Sequence, residues 1–292
     1  MASFFSRFKA KDVAAVQAGQ RIIALELSGP FLRNNFETLI SACDDDGGAE
    51  RYVLALKYKI GIFQDGFHDG AKSLSAVNFV KLCMFMPTVR RRVGDYVENG
   101  KYNFLRRAME GLFGEEDVDT RINAFVNKFP QDKKHRWVKD LATEILHNTD
   151  PETYPLMHRW VWDRKANSGV IREMWHGDVD SQTLEVDDDY EVFMKLREEL
   201  SDYLSSNGIY ADVLYYVDLL CAGVYAGYVS SQGGLYLKAD FTTREEPIVF
   251  TRRLLGLDGV AAKTNLIAPS MIEGQSAKNL SIETVLRLQG SN

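Results

Sequence analysis

Two glutamates stand three residues ahead of a histidine: Glu144 with His147 in "EILH", and Glu173 with His176 in "EMWH". The chain holds only five histidines, so two such pairs ask for a chemical reading. On a helix this spacing sets both side chains on neighbouring positions of one face, and two inward-facing pairs with two further glutamates can hold a pair of irons. The surrounding pattern argues for a different placement. Counted from Trp137 at about 100° per residue, Trp137, Val138, Leu141, Ala142, Ile145 and Leu146 cover roughly 0° to 180°, whereas Glu144 and His147 fall near about 340° and 280°. Val170, Ile171, Met174 and Trp175 likewise cover roughly 0° to 140°, with Glu173 and His176 outside that arc. Both pairs are therefore expected to face solvent. No cofactor is the leading expectation, and iron on these four residues the alternative.

Other motifs are incomplete. "DVDSQTLEVDDD", residues 178–189, places Asp178, Asp180 and Asp189 at positions 1, 3 and 12 of a calcium loop. Thr183 stands where the turn needs glycine, and the bidentate glutamate at the last position is missing. It reads as a solvated acidic loop. "WHGDVD" holds the His-Gly-Asp of small-molecule kinases without the asparagine or the glycine-rich nucleotide loop. His68–Asp69 in "FHDG" has no earlier histidine to complete a phosphohydrolase metal site, and "GVAAKT" lacks the glycine before the lysine of a phosphate loop.

Three further places carry polar or aromatic groups in unusual settings. Asp218 lies within "ADVLYYVDLLCAGVYAGYV" on the arc of Tyr215, Ala222 and Tyr225. A carboxylate there must find a donor or face a cavity, so it is expected either to pair with an arginine or a tyrosine hydroxyl or to line a ligand pocket with Tyr215 and Tyr225. "YPLMHRWVWD", residues 154–163, gathers two of four tryptophans. Pro155 suits a first helical position, which would put Trp160 on the core arc and His158 with Trp162 on an opposite face, covered or open to a partner. Charge is also uneven: Arg90, Arg91, Arg92, Arg106 and Arg107 cluster in residues 88–111, while residues 175–191 hold seven acids and no lysine or arginine. The basic cluster is expected to be a protein-docking face and not a nucleic-acid site, given the net charge of −6.

The elements that must position these groups are helical. Apolar spacing predicts helices near 12–27, 33–43, 50–64, 73–86, 88–97, 101–113, 117–128, 132–147, 155–165, 168–176, 190–206, 211–230 and 247–256. "YVLALKYKIGIF" and "RIIALEL" also alternate as strands would, which leaves room for a small β element near the N-terminus. The expected fold is mainly α, an irregular orthogonal bundle of about a dozen helices over residues 1–257, as one unit or as two subdomains dividing near residue 130. Residues 258–292 lose periodicity and read as an extended C-terminal arm.

Cys43, Cys83 and Cys221 form neither a C-x-x-C motif nor a secreted framework, and the opening "MASFFSRFKAKD" has no apolar stretch of leader type. Reduced thiols in a cytoplasmic protein are expected. The apolar run at 211–230 is long enough for a membrane, but Asp212, Asp218 and four tyrosines favour a buried central helix. These readings converge on a non-catalytic interaction protein (adaptor, scaffold or accessory subunit) that binds another protein, with self-association open. The alternative is a metal- or ligand-dependent helical enzyme.

Overall fold

The computed structural model describes residues 23, 25–45, 47–97, 100–176, 182–236 and 246–257. Among them twelve α-helices follow one another: α1 Gly29–Asp45, α2 Ala49–Gly66, α3 Ala76–Cys83, α4 Pro87–Arg90, α5 Gly94–Val97, α6 Tyr102–Glu110, α7 Val118–Val126, α8 Trp137–Thr149, α9 Val170–Met174, α10 Tyr190–Ser206, α11 Val213–Tyr236 and α12 Pro247–Leu254. Short 3-10 turns at Gly111–Phe113 and Lys133–His135 complete the set. The protein is mainly α. The expected C-terminal arm at 258–292 lies outside the described residues, as does most of the helix expected at 12–27.

Two helices organise the rest. α8 packs against α2, α4 and α7; α11 packs against α1, α2, α9, α10 and α12. α11 is apolar all round, and its Val213–Ser231 portion is long and apolar enough to cross a membrane, with half of that stretch buried against neighbouring helices. One contiguous apolar core runs from Leu25 to Leu257 and draws on both sides of residue 130.

The helix expected at 50–64 is present, and the alternative strand reading of it is set aside. "YVLALKYKIGIF" lies in α2, where Tyr52, Val53, Leu56, Ile60 and Phe63 form the buried helical face. Among the described residues of the N-terminal stretch, the strand-like pairing is an isolated antiparallel bridge between Leu27 and Trp175. Residues 25–28 are not helical; Ser28 N–H donates to the Met174 carbonyl at 2.8 Å, so this backbone is satisfied across the chain and not along it.

The largest correction concerns residues 155–165, which form turns and not a helix. Their backbone partners explain why. Val170 N–H donates to the Trp160 carbonyl and Ile171 N–H to that of Val161, while Asp163 and Ser168 exchange both backbone hydrogen bonds. The segment therefore doubles back as a strap on the start of α9. Gly169 permits the approach: its φ is +127°, and a Cβ there would come within 2.7 Å of the Val161 carbonyl oxygen.

Within this strap Trp162 is fully buried and its indole N–H donates to the Val186 carbonyl at 3.2 Å. His158 is buried too, stacked on Trp160 at 5.8 Å between ring centroids. His158 and Trp162 do not form the separate helical face expected of them. Of its two alternatives they are covered and not open to a partner, because a strap can turn side chains inward where a helix would turn one arc outward. Trp162→Ala should therefore cost about 3–5 kcal/mol, through the cavity and the orphaned carbonyl. Denaturant unfolding beside Trp160→Ala checks this; a loss well below that of Trp160→Ala would contradict the placement.

Candidate functional site

The expectation that Glu144 and His147 face solvent is also overturned. They are 1% and 5% exposed. α8 is covered on the side opposite its apolar arc, where Asp140, Glu144 and His147 fall within about 60° of one another at about 100° per residue. Each finds a partner on a different element. Arg159 from the strap grips Asp140 with two hydrogen bonds, at 2.9 and 2.6 Å. Lys59 from α2 donates to Glu144 Oε2 at 3.1 Å, and Asn148 donates to the same oxygen at 2.5 Å. His147 reaches across to Asp218 on α11, with Nε2 3.0 Å from Oδ2.

Lys59 is itself 3% exposed and donates a second hydrogen bond to the Leu255 carbonyl at 3.0 Å. The chain turns sharply there because Gly256 adopts φ +71°, and a Cβ at that position would run into the Phe85 carbonyl. His158 completes the cluster. Its Nε2 stands 3.0 Å from Glu144 Oε1 and its Nδ1 3.9 Å from Asp140 Oδ1, neither in line for a hydrogen bond.

These contacts set the protonation states. Burial opposes the Glu144 carboxylate, but Lys59 and then His158 outweigh it and hold its pKa down to about 2. Burial likewise opposes a charged His147, while the Asp218 carboxylate raises its pKa above the ordinary value. His147 Nδ1 lies 2.9 Å from the Tyr154 carbonyl, which can only accept, so the imidazolium satisfies both neighbours as a double donor. Asp218 thus pairs with a histidine, not with the arginine or tyrosine expected. Burial pushes the thiols of Cys83 and Cys221 up, and all three cysteines are buried and free.

The four residues of the iron alternative are not brought together among the described residues. Glu144 is committed to Lys59 and Asn148, and His147 to Asp218; Glu173 lies on α9 and His176 beyond it, exposed. No group of three or more histidine, cysteine or carboxylate side chains is arranged for a metal among the described residues. Tyr215 and Tyr225 do not line the cavity that Asp218 borders. That cavity, which His147 also borders, measures about 20 Å³, room for one water. Tyr215 meets Lys57, and Tyr225 packs against Trp160 with its ring tilted by 41°. In the acidic loop, residues 177–181 lie outside the described residues; Asp187 pairs with Arg164, Asp188 with Lys139 at 2.6 Å, and Asp189 caps α10.

What the structure does assemble is a basic cleft of about 510 Å³. Pro87 starts α4, Val89 and Val93 anchor it in the core, and Arg90, Arg91 and Arg92 emerge between those anchors into the cleft wall. Asp132 accepts from the backbone N–H groups of Lys134 and His135, fixing the 3-10 turn that presents Lys133 and Lys134. Arg136 and Arg159 come next, and Arg253 of α12 closes the far side. The floor and walls include Trp137, Trp160 and His158. Eight arginine and lysine side chains thus line the cleft, and no carboxylate does.

Arg159 and Arg136 have carboxylate partners, Asp140 and Asp163. Arg91, Arg92, Lys133 and Lys134 have none among the described residues and are exposed. Sequence reading found the arginine triplet but grouped it with Arg106 and Arg107, which do not line this cleft. Arg106 is held by Glu110 at 2.6 Å and by the Lys72 carbonyl. Lys133, Lys134, Arg136, Arg159 and Arg253 were missed; the run "DKKHR" was the available signal. Comparison with known protein families, with curated protein sequences and with solved structures finds no match.

Two outcomes test the buried cluster. Lys59→Met should cost about 3–5 kcal/mol, because Glu144 keeps its charge and loses its principal partner. Lys59→Met/Glu144→Gln should regain part of that loss in the same denaturant experiment. The His147 contribution has the opposite pH sense to that of Glu144. Its folded pKa is raised above the ordinary 6.5, so its stabilisation is full below about pH 6.5 and fades as pH rises through the folded value. The stability gap between wild type and His147→Gln should accordingly narrow on going from neutral to alkaline pH. For Glu144, with a folded pKa of about 2 against an ordinary 4.5, stability is lost as pH falls between those values.

Proposed function

We propose that this chain is a cytoplasmic, non-catalytic interaction protein that binds an acidic segment of a partner protein in the cleft beside Arg90–Arg92. The observation that carries this reading is the concentration of eight basic side chains without a carboxylate, in a chain whose net charge is −6. Such a focused positive field attracts anionic ligands and speeds their encounter. Self-filling by residues 1–22 or 258–292 is disfavoured by charge. Residues 1–22 carry four basic side chains and one acidic, a net of +3; residues 258–292 carry three of each, a net of zero. Neither end of the chain complements the cleft.

Enzymatic chemistry finds less support. The strongest titratable cluster, Lys59 with Glu144 and His147 with Asp218, is buried and internally paired, a structural arrangement that leaves no group poised toward substrate. A nucleic acid would also be drawn to basic side chains, but a cleft enclosed by α4, the 3-10 turn and α12 suits a compact anionic segment better than an extended duplex.

Arg91→Glu/Arg92→Glu should abolish binding of a glutamate-rich peptide, measured by titration calorimetry, while leaving unfolding unchanged within about 0.5 kcal/mol, as expected of exposed side chains. Failure of wild-type protein to bind any acidic peptide, or tighter binding of a random single-stranded oligonucleotide, would overturn this function.

A further inference from the structure

We infer that the basic cleft contains a phosphate subsite, so that the segment it binds is phosphorylated on serine or threonine. The inference rests on the cleft being the docking site proposed above and specifies its ligand chemistry. Three observations support it. The first is the surplus of positive charge: Arg91, Arg92, Lys133 and Lys134 are uncompensated among the described residues and flank one cleft. One carboxylate brings a single charge, whereas a phosphomonoester brings about −1.5 to −2 at neutral pH and three acceptor oxygens in one compact group.

The second is the kind of cation. Guanidinium groups supply most of the basic wall, and adjacent arginines offer paired N–H donors that match a phosphate geometrically, which single ammonium charges do not. The third is an unsatisfied donor. Thr88 lies beside the arginine triplet in the same wall, and its hydroxyl is shut off from water with no hydrogen-bond partner. A hydroxyl in that state needs an acceptor, and a phosphate oxygen supplies one when its binding shifts the side chains that cover Thr88. His158, 1% exposed and without an aligned hydrogen bond at either ring nitrogen, lines the same cleft. The carboxylates behind it, Asp140 and Glu144, do not line the cleft and are bound by Arg159 and Lys59, so they oppose an incoming anion only weakly.

The test uses the full chain and three peptides of one acidic sequence, with serine, glutamate or phosphoserine at the central position, titrated by calorimetry. Orthophosphate and a single-stranded oligonucleotide serve as competitors. The phosphoserine peptide should bind at least about tenfold more tightly than the glutamate peptide, the worth of one additional charge-assisted hydrogen bond. Orthophosphate should compete with it. Thr88→Val, which keeps shape and charge, should erase most of that preference by lowering phosphoserine-peptide affinity more than glutamate-peptide affinity. If glutamate and phosphoserine peptides bind within twofold of one another, the subsite is refuted while the acidic-segment reading stands. The subsite is equally refuted if Thr88→Val weakens both alike. If no peptide binds but orthophosphate does, the partner-protein reading falls and the ligand is a free phosphate. Tighter binding of the oligonucleotide than of the phosphoserine peptide overturns both.

Discussion

The fold turns on a helix with nowhere to put its charges. α8 is buried on nearly every side, yet it carries Asp140, Glu144 and His147 on one narrow arc. Each charge would be costly alone, so each demands a partner from elsewhere in the chain. Lys59 ties α8 to α2, Asp218 ties it to α11, and Arg159 ties it to the strap. Apolar packing would allow these neighbours to slide; three directional pairs specify which residue of each sits opposite which turn of α8. Lys59 extends the same logic to the end of α12 through the Leu255 carbonyl. The net stabilisation from such pairs is small. What they add is a single register for four otherwise separate elements.

That constraint also decides how much could be read beforehand. Long amphipathic segments were legible: α1, α2, α7, α10 and α12 lie close to the positions that their apolar spacing predicts, since burial of one face produced both pattern and helix. α8 was legible as a helix and misread as to its surroundings. A polar arc normally marks solvent, and nothing local in "WVKDLATEILHNT" says that Lys59, 85 residues before Glu144, will cover it. The strap failed for a related reason. Pro155 and the spacing of Leu156, Met157 and Trp160 fit a helix, but the backbone of this segment is satisfied by Ser168, Val170 and Ile171, an arrangement that Gly169 alone makes sterically open. Both errors come from tertiary partners outranking local periodicity.

The candidate site shows the same division. Three adjacent arginines are visible in any reading of the chain. Their company is not: Lys133–Arg136 come from before α8, Arg159 from the strap and Arg253 from α12. Only the packing of α4 and α7 on α8, and of α12 on α11, draws these distant basic residues around one opening. Conversely, Arg106 and Arg107 are near the triplet in sequence and absent from the cleft, because α6 turns Arg106 toward Glu110 and Lys72.

The buried cluster and the cleft are halves of one electrostatic arrangement. Arg159 belongs to both: its guanidinium grips Asp140 inside the protein and lines the cleft outside. His158 and Trp160 stand between the two, with Glu144 on one side of the imidazole and the opening on the other. Inside, each charge on α8 has a counter-charge and the pairs fix structure. Outside, Arg91, Arg92, Lys133 and Lys134 have none among the described residues and repel one another, which raises the free energy of the empty folded state. An anion bound in the cleft as proposed would remove that repulsion and, by binding only the folded chain, would stabilise the fold in proportion to the logarithm of its concentration over Kd. Rigid support from the paired interior is what keeps the unpaired cations together instead of letting the walls of the cleft move apart.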